Sequence, residues 1–355
     1  MFRKEKKLKL KGNEKILLVR TDRIGDLILS TPVAEALKQK FPQAQIDFLV
    51  ATYTAPILRN NPFIKEIILD DNKGVKGFLK LKETIQQKKY DMAIVLHPTL
   101  RLAILLKSAG VPYRIGSGYR GYSFLFNLKH FQHRKTVEKQ ELEYNLDMLK
   151  VLNIDSPKIL SKMYLSTEEK HEAGVFLKKF GGNQDETLVL IHPGSGGNAL
   201  NWPAEKFGEL AEKLLNSYSV KVLVTGQAKE KILAEKMKSR MKQNFTDLTG
   251  KTDLRMLSAI IEKTDLVICN STGPMHIAAA LNISTAALFC PIFTASPKRW
   301  GPMGEGHTVI LPPVPTCKNC TSQKCQRGNC MELISVEEVF EKAGAVLKNK
   351  IKLEK

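Results

Sequence analysis

The most constraining stretch of the sequence runs from Thr264 to Phe289 and reads TDLVICNSTGPMHIAAALNISTAALF. Two apolar runs, Leu266 to Cys269 and Thr285 to Phe289, flank a polar turn and a segment that opens with Pro274, which the first turn of a helix tolerates. This pattern predicts a strand, a helix and a second strand. Because the first N–H groups of a helix have no partner within it, the turn is a candidate phosphate site. The alternative is the ordinary cap of a packing helix.

Length and charge limit the classes of protein that fit. The 355 residues suit two domains of about 150 residues each. The 55 Lys and Arg against 36 Asp and Glu give a net charge of +19, which favours an anionic partner. Since the sequence has neither a zinc-finger pattern nor an RNA-binding aromatic signature, we expect a phosphorylated substrate or an anionic membrane surface rather than nucleic acid. The sequence has no membrane-spanning run or signal peptide, so we expect a cytoplasmic protein.

The N-terminal half opens with a strand at 15–20, a loop, a helix and a second strand at 46–50. This is the start of a nucleotide-binding fold, but it lacks both G-x-G-x-x-G and the P-loop motif. Asp26 follows Gly25 where the first strand's carboxyl end meets the helix, a position from which a carboxylate can act as a general base. The alternative is a first-turn acid that the helix dipole favours. Arg20 and Arg23 flank it.

Basic residues follow the carboxyl ends of this first sheet. A strand at 92–96 leads into His97 and Arg101, and a loop rich in Gly, Tyr and Arg then carries Arg120 and Lys129. With Arg23, these four side chains are candidates for binding an anionic acceptor. Arg114 is a further candidate in the loop. The alternative is a surface loop whose aromatic residues pack beneath it.

The second half repeats the scheme after a linker near residue 157. A strand at 187–191 runs into a Gly-rich turn at 194–197, where backbone N–H groups can approach a phosphate. The turn at Thr272 and Gly273 offers the same chemistry in the same half. We therefore predict two α/β domains, 1–157 and 158–355, that meet at a ligand-binding cleft.

Four ordered motifs resemble one family. They are RTDRIGDLILSTPVAEALKQKFP, IHPGSGG followed by NWPAEKFGELA, LTGKTDLRMLSAIIEKTDLVICNSTGPMHIAAALN, and a late Cys-rich segment. Together they resemble the ADP-heptose:lipopolysaccharide heptosyltransferases, glycosyltransferase family 9, over nearly the full length. The resemblance implies a GT-B fold, with two Rossmann-like domains facing a central cleft. It also implies a last helix, from Val336, that returns to the first domain.

The resemblance assigns roles to individual residues. It places the acceptor on domain 1–157 and the donor on domain 158–355, and it implies inverting, metal-independent transfer with Asp26 as the catalytic base. The residues that match the donor site are Ser195, Gly196, Glu230, Ser271, Thr272, Gly273, Met275 and His276. Glu230 matches an acid near the ribose, and Met275 matches a residue near the adenine. Without the resemblance, Met275 would be read as core.

Two positions depart from the family pattern. Ser271 stands where Asp is common before Thr-Gly, so a contact to a sugar hydroxyl is open to rearrangement. Leu200 stands where a Lys is common two residues before the Trp of the W-P motif. Either the donor differs from that of the family, or another cation such as Lys206 or Lys229 neutralises the diphosphate.

The last cysteines follow C-x2-C-x4-C-x4-C at Cys317, Cys320, Cys325 and Cys330. This spacing is compatible with four thiolates around a structural zinc ion, and the alternative is free thiols. The resemblance implies no catalytic role for them, and no cofactor is expected to be required for the reaction. Cys269 and Cys290, which lie in apolar runs, are read as core residues.

The leading hypothesis is an enzyme that moves L-glycero-D-manno-heptose from ADP-heptose to the lipopolysaccharide inner core. The acceptor would be Kdo-lipid A or its heptosyl derivative, at the cytoplasmic face of the inner membrane, and an anionic membrane surface is an expected partner. One alternative keeps the fold and changes the nucleotide sugar. Another is a non-catalytic nucleotide- or nucleic-acid-binding protein, which would have no use for a base at Asp26.

Overall fold

The computed structural model describes residues 10–71, 74–155, 158–181, 186–197, 199–318, 320, 325 and 328–353. Within these residues the chain forms two compact units. The first unit lies within 1–134 and 141–161, and the second lies within 135–140 and 162–355. Among the described helices, none is both long and apolar enough to cross a membrane.

The first unit is a parallel six-stranded sheet with helices. Its strands are β1 (Lys15–Arg20), β2 (Gln45–Ala51), β3 (Glu66–Asp70), β4 (Met92–Val95), β5 (Tyr113–Ser117) and β6 (Leu128–His130). Its helices are α1 (Ile24–Ile28), α2 (Pro32–Lys40), α3 (Gly74–Lys88), α4 (Leu100–Ser108) and α5 (Glu141–Asp147). The strand order is β3-β2-β1-β4-β5-β6. Because β1 lies inside the sheet and pairs with both β2 and β4, its apolar residues are buried.

The second unit has the same architecture. Its strands are β7 (Thr187–His192), β8 (Val220–Val224), β9 (Thr246–Asp247), β10 (Leu266–Asn270), β11 (Thr285–Leu288) and β12 (His307–Ile310). Its helices are α6 (Thr167–Lys178), α7 (Ala204–Ser217), α8 (Lys231–Lys238), α9 (Leu254–Glu262), α10 (Gly273–Ala280), α11 (Pro297–Trp300) and α12 (Val336–Leu353). The order β12-β11-β10-β7-β8-β9 is again the Rossmann order, so the predicted α/β fold of two Rossmann-like units is confirmed.

Strand order determines where ligands can bind in each unit. The sequence of strands reverses direction between β1 and β4 in the first sheet, and between β7 and β10 in the second. Ligands of such sheets bind outside the carboxyl ends of the strands at these reversal points. The loops that follow β1, β4, β7 and β10 are therefore the expected positions of ligand-binding residues.

Two features of the fold differ from the sequence prediction. The single helix expected after Gly25 is two helices, because Pro32 has no N–H to donate to the carbonyl of Ile28, and the Thr31 hydroxyl donates to it instead, at 2.9 Å. Helix α3 was not predicted. Helix α12 lies against α7, β10 and β11 of the second unit, and its return to the first unit stays a prediction.

Candidate active site

The carboxyl end of β1 carries a buried arginine that contacts three carboxylates. Arg20 is 1% exposed. Its Nε donates to Asp22 Oδ1 at 2.7 Å, and its Nη2 donates to Asp26 Oδ1 at 2.5 Å. Its Nη1 donates to Glu141 Oε1 and to Asn145 Oδ1, both at 3.2 Å. These five residues are called the Arg20 cluster below.

Helix α5 fixes this cluster from the opposite side. Glu141 and Asn145 are four residues apart, so both project from one face of α5. The Asn145 amide also donates to the Leu29 carbonyl at 3.0 Å and to the Ser30 hydroxyl at 3.1 Å, which ties α5 to the junction between α1 and α2. Arg134 also donates to Glu141. The short helix that carries Asp26 is therefore held by contacts 115 residues away along the chain.

Burial and charge separate the pKa values of the two aspartates in the cluster. Burial raises the pKa of Asp26 to about 6; the charge of Arg20 opposes this rise, and the charges of Asp22 and Glu141 add to it. Burial also raises the pKa of Asp22, but the hydrogen bond from His97 and the charge of Arg20 outweigh it and lower that pKa to about 2. Two neighbouring carboxyl groups whose pKa values differ in this way take different acid–base roles. Asp26 is the one able to accept a proton near neutral pH.

The side of the cluster that faces solvent carries two more polar groups. The Nδ1 atom of His97, from the loop after β4, lies 3.0 Å from Asp22 Oδ2, and the imidazole is 44% exposed. The Tyr53 hydroxyl donates to the Asp22 carbonyl at 2.8 Å. Asp26 itself retains 16% side-chain exposure. The Asp26 carboxylate is therefore partly open to solvent.

The other acceptor candidates divide into two groups. Arg23, Arg120 and Lys129 are exposed and remain available for an anionic acceptor. Arg101 instead forms a two-point ion pair with Asp70, with N–O distances of 2.6 and 2.9 Å. Arg114 donates to the Leu125 carbonyl at 2.9 Å. Arg114 thus serves the loop itself, and Arg101 reaches a substrate only by giving up part of its pairing with Asp70.

In the second unit, Asn270 at the end of β10 holds both flanks of the loop that follows β7. Its amide donates to the Pro193 carbonyl at 2.7 Å, and its Oδ1 accepts from the Trp202 N–H at 2.8 Å. Asn270 is 2% exposed, so these bonds are shielded from water. The Gly-rich turn that sequence analysis selected as a phosphate site is thereby anchored to β10.

The same loop adjoins Glu230, another of the donor candidates. A Cβ atom placed on Gly194 would lie only 2.2 Å from Glu230 Oε1, so a residue without a side chain is needed for this approach. The other oxygen of Glu230 accepts from the Gln227 N–H at 2.7 Å, which fixes the carboxylate. Ser195 and Gly196 continue directly from this contact. The structure thus brings together two donor candidates from different loops.

The remaining donor candidates surround the start of α10. Ser271, Thr272 and Gly273 are partly exposed at the carboxyl end of β10, and Thr272 makes no side-chain capping bond to the described helix. Pro274 has no N–H, and the Met275 N–H donates to the Thr272 carbonyl at 3.2 Å, so the Gly273 N–H is the group at the start of α10 that a ligand can use. Met275 is fully buried in the core, and burial lowers the pKa of His276 to about 4. Contact between Met275 and an adenine stays a prediction.

Lys206 and Lys229 were suggested as substitutes for the family's lysine at position 200. Among the described contacts, none assigns either of them to a diphosphate. The Lys206 ammonium donates to the Glu332 and Ile334 carbonyls at 2.5 and 2.9 Å, which secures the segment before α12. Leu200, at the departing position, packs against the apolar core of the second unit. Lys229 is exposed.

The cysteine segment lies partly outside the described residues, since 319, 321–324, 326 and 327 are not described. Among the residues that are, no three Cys, His, Asp or Glu side chains are grouped so as to hold a metal ion. Burial and the neighbouring thiol of Cys290 raise the pKa of Cys330 to about 12. Cys290 is buried, as predicted, but the sequence did not place it beside Cys330. The zinc site stays a prediction.

Comparisons with known proteins point to a single family. The family profile for glycosyltransferase family 9 (heptosyltransferase) matches residues 78–331. Lipopolysaccharide heptosyltransferase 3 of Escherichia coli is 30% identical over 275 residues, which cover 75% of this chain and 80% of that protein.

Two solved structures share the fold. A glycosyltransferase family 9 protein of Veillonella parvula has a TM-score of 0.86 and 24% identity, covering 96% of this chain and 99% of that one. The E. coli ADP-heptose lipopolysaccharide heptosyltransferase II has a TM-score of 0.79 and 24% identity, covering 95% and 99%. The matched profile covers more than half of the sequence and includes both Gly-rich turns of the second unit. The chain therefore belongs to glycosyltransferase family 9, the heptosyltransferases, and is a glycosyltransferase.

Proposed function

We propose that this enzyme transfers heptose from ADP-heptose to the inner core of lipopolysaccharide, with Asp26 as the general base. The observation that carries the proposal is the Arg20 cluster, which holds a carboxylate with a pKa of about 6 at the carboxyl edge of the first sheet. The two E. coli relatives described above are named as lipopolysaccharide heptosyltransferases. Membership of an enzyme family also argues against the non-catalytic alternative.

In the proposed reaction, Asp26 accepts the proton of an acceptor hydroxyl as that oxygen forms a bond to the anomeric carbon of the donor. The bond between that carbon and the diphosphate oxygen breaks on the opposite face, so configuration inverts and ADP leaves. The Gly273 N–H at the start of α10 and the backbone N–H groups of the 194–197 turn are the groups that would stabilise the negative charge on ADP. No metal is needed in this scheme, because backbone dipoles supply the stabilisation.

Acceptor recognition in this proposal uses cations of the first unit. Arg23, Arg120 and Lys129 are exposed, and His97 is held in place by Asp22. An inner-core acceptor carries carboxylates and phosphates, for which these side chains are suitable partners. The net charge of +19 would also raise the local concentration of such an acceptor.

The donor can be tested directly. Purified protein would be given Kdo-lipid A with ADP-heptose, ADP-glucose, UDP-glucose or GDP-mannose in parallel, and released nucleoside diphosphate would be measured. We expect acceptor-dependent ADP release with ADP-heptose. Release with another nucleotide sugar and none with ADP-heptose would overturn the donor assignment while keeping the enzyme class.

A different nucleotide sugar is the second candidate, and the departures from the family pattern at Ser271 and Leu200 bear on it. Leu200 replaces the family's lysine, and Lys206 is occupied by the Glu332 and Ile334 carbonyls. The diphosphate therefore has one fewer cation available than the family pattern supplies. Turnover of a nucleotide sugar other than ADP-heptose in the parallel donor assay would support this candidate.

The raised pKa of Asp26 predicts a specific pH profile. Because a base must be ionised, we expect kcat to rise about tenfold per pH unit below about 6 and to level off above it. Glu141→Gln removes a negative charge that raises the pKa of Asp26, so it should move this acid limb to lower pH. A profile that is flat from pH 5 to 8, or a shift in the other direction, would contradict Asp26 as the base.

A further inference from the structure

Five large apolar side chains of the first unit are exposed to solvent on neighbouring elements. Their exposed fractions range from 43% for Ile104 to 76% for Val75. They are Val75 and Leu79 on α3, Leu100 and Ile104 on α4, and Phe124 in the 3-10 turn Ser123–Leu125. We call this set the α3–α4 face. Exposed apolar groups of this number on adjoining elements are typical of an interaction surface.

These side chains are not the ones that pack the two helices on the sheet. Each exposed pair has a spacing of four residues, which places both members on one face of its helix. The core-facing sides are formed by other residues, which are buried: Leu81 and Ile85 on α3, and Leu102, Leu105 and Leu106 on α4. Packing of the core therefore explains the buried apolar residues of α3 and α4. It does not explain the exposed apolar residues on the outer faces of these helices.

The parts of the α3–α4 face adjoin one another. Helix α3 packs on α4, and α4 contacts the turn that carries Phe124. The Tyr122 hydroxyl donates to the Pro98 carbonyl at 2.7 Å, which ties that turn to the start of α4. All four helical residues lie in the first two turns of their helices, immediately after strands β3 and β4 end. The face thus lies towards the carboxyl edge of the sheet, the edge that also carries Asp26.

The charge of the α3–α4 face selects its partner. The sequences of α3 and α4 contain one acid, Glu83, and six basic residues, of which Arg101 pairs with Asp70 and Lys88 with Glu66. The other four are Lys76, Lys80, Lys82 and Lys107. Cations interleaved with exposed apolar side chains are the pattern that binds an anionic bilayer. A two-fold dimer through this face would instead oppose like charges.

We propose that the α3–α4 face docks on an anionic lipid bilayer and so holds the Asp26 edge of the first unit near the lipid headgroups. This rests on the proposed function, because an acceptor carried by lipid A is anchored in a membrane. Apolar side chains would enter the interface, and Lys76, Lys80 and Lys107 would neutralise lipid phosphates. The docking surface is then part of how the enzyme reaches its acceptor.

The test is co-sedimentation of the full chain with vesicles of phosphatidylglycerol and phosphatidylethanolamine, compared with phosphatidylcholine vesicles. We expect binding to the anionic vesicles only, and a loss of about tenfold or more in L79S/F124S. The matched control is V175S/I232S, which removes two exposed apolar side chains from the second unit and should change binding less than about twofold. K76Q/K80Q should weaken anionic binding by roughly fivefold per lysine.

Two outcomes would overturn the docking surface. One is native vesicle binding by L79S/F124S. The other is a concentration-dependent dimer, seen by analytical ultracentrifugation, that this variant dissociates. The assay needs neither donor nor acceptor, so its failure is separate from failure of the proposed function. Turnover of a soluble acceptor without acyl chains should be the same in L79S/F124S as in the native enzyme, which shows that the variant is folded.

Discussion

Replacement of Asp26 by Asn is expected to lower kcat for sugar transfer by about 10²–10⁴-fold, the usual contribution of a positioned general base. Asn has the size of Asp but cannot take a proton from an acceptor hydroxyl. Arg20 keeps its bonds to Asp22, Glu141 and Asn145 in this variant, so the fold should be retained. Donor affinity, measured by ADP-heptose binding, should be unchanged because Asp26 would act only on the acceptor.

The matched control for this variant is Asp91→Asn. Asp91 lies just before β4, at the amino edge of the same sheet, where its Oδ2 accepts from the Lys15 N–H at 2.8 Å. The amide oxygen of Asn can accept the same bond, so activity and stability should be close to native. If Asp26→Asn keeps more than about a tenth of the native rate, the base is another group, and His97 would be examined next.

Replacement of Arg20 by Gln is expected to cost about 3–5 kcal/mol of unfolding free energy in the first unit, as when one partner of a buried ion pair is removed. Asp22, Asp26 and Glu141 would remain in a poorly hydrated site without their shared cation. Because protonation relieves this unpaired charge, the loss should be smaller at pH 5 than at pH 8, on either side of the Asp26 pKa of about 6. Urea unfolding at both pH values measures the difference.

The readout can separate the two units. Both tryptophans, Trp202 and Trp300, lie in the second unit, so their fluorescence does not report on the first. We expect Arg20→Gln to speed hydrogen exchange of the β1 amides while leaving the tryptophan transition near native. The control is Arg255→Gln, which removes a buried arginine from its pair with Glu169 in the second unit. It should shift the tryptophan transition and leave hydrogen exchange of the β1 amides near native. Equal effects of both variants on both signals would contradict the assignment.

The candidate site was partly predictable from short stretches of sequence. Asp26 was found because strand, turn and helix follow one another within a dozen residues. The roles of Glu141 and Asn145 were missed, since they lie 121 and 125 residues from Arg20 and carry no local motif. Asp22 was missed because only the fold shows that the buried Arg20 bonds to it as well as to Asp26. Arg101 was offered to the acceptor, and only the fold shows its pairing with Asp70.

The sequence by itself determined the two Rossmann-like units, the turns at 194–197 and 271–273, and the family, because strand and helix periodicity, Gly-rich turns and ordered motifs are local properties of the chain. Only the tertiary structure decided which polar groups contact Arg20, which lysine is already hydrogen-bonded and which apolar side chains face solvent. Those properties depend on contacts between residues far apart in sequence and on exclusion of water from the sites they form. The pKa of Asp26 is the clearest case, since its main cause is burial, which exists only in the folded chain.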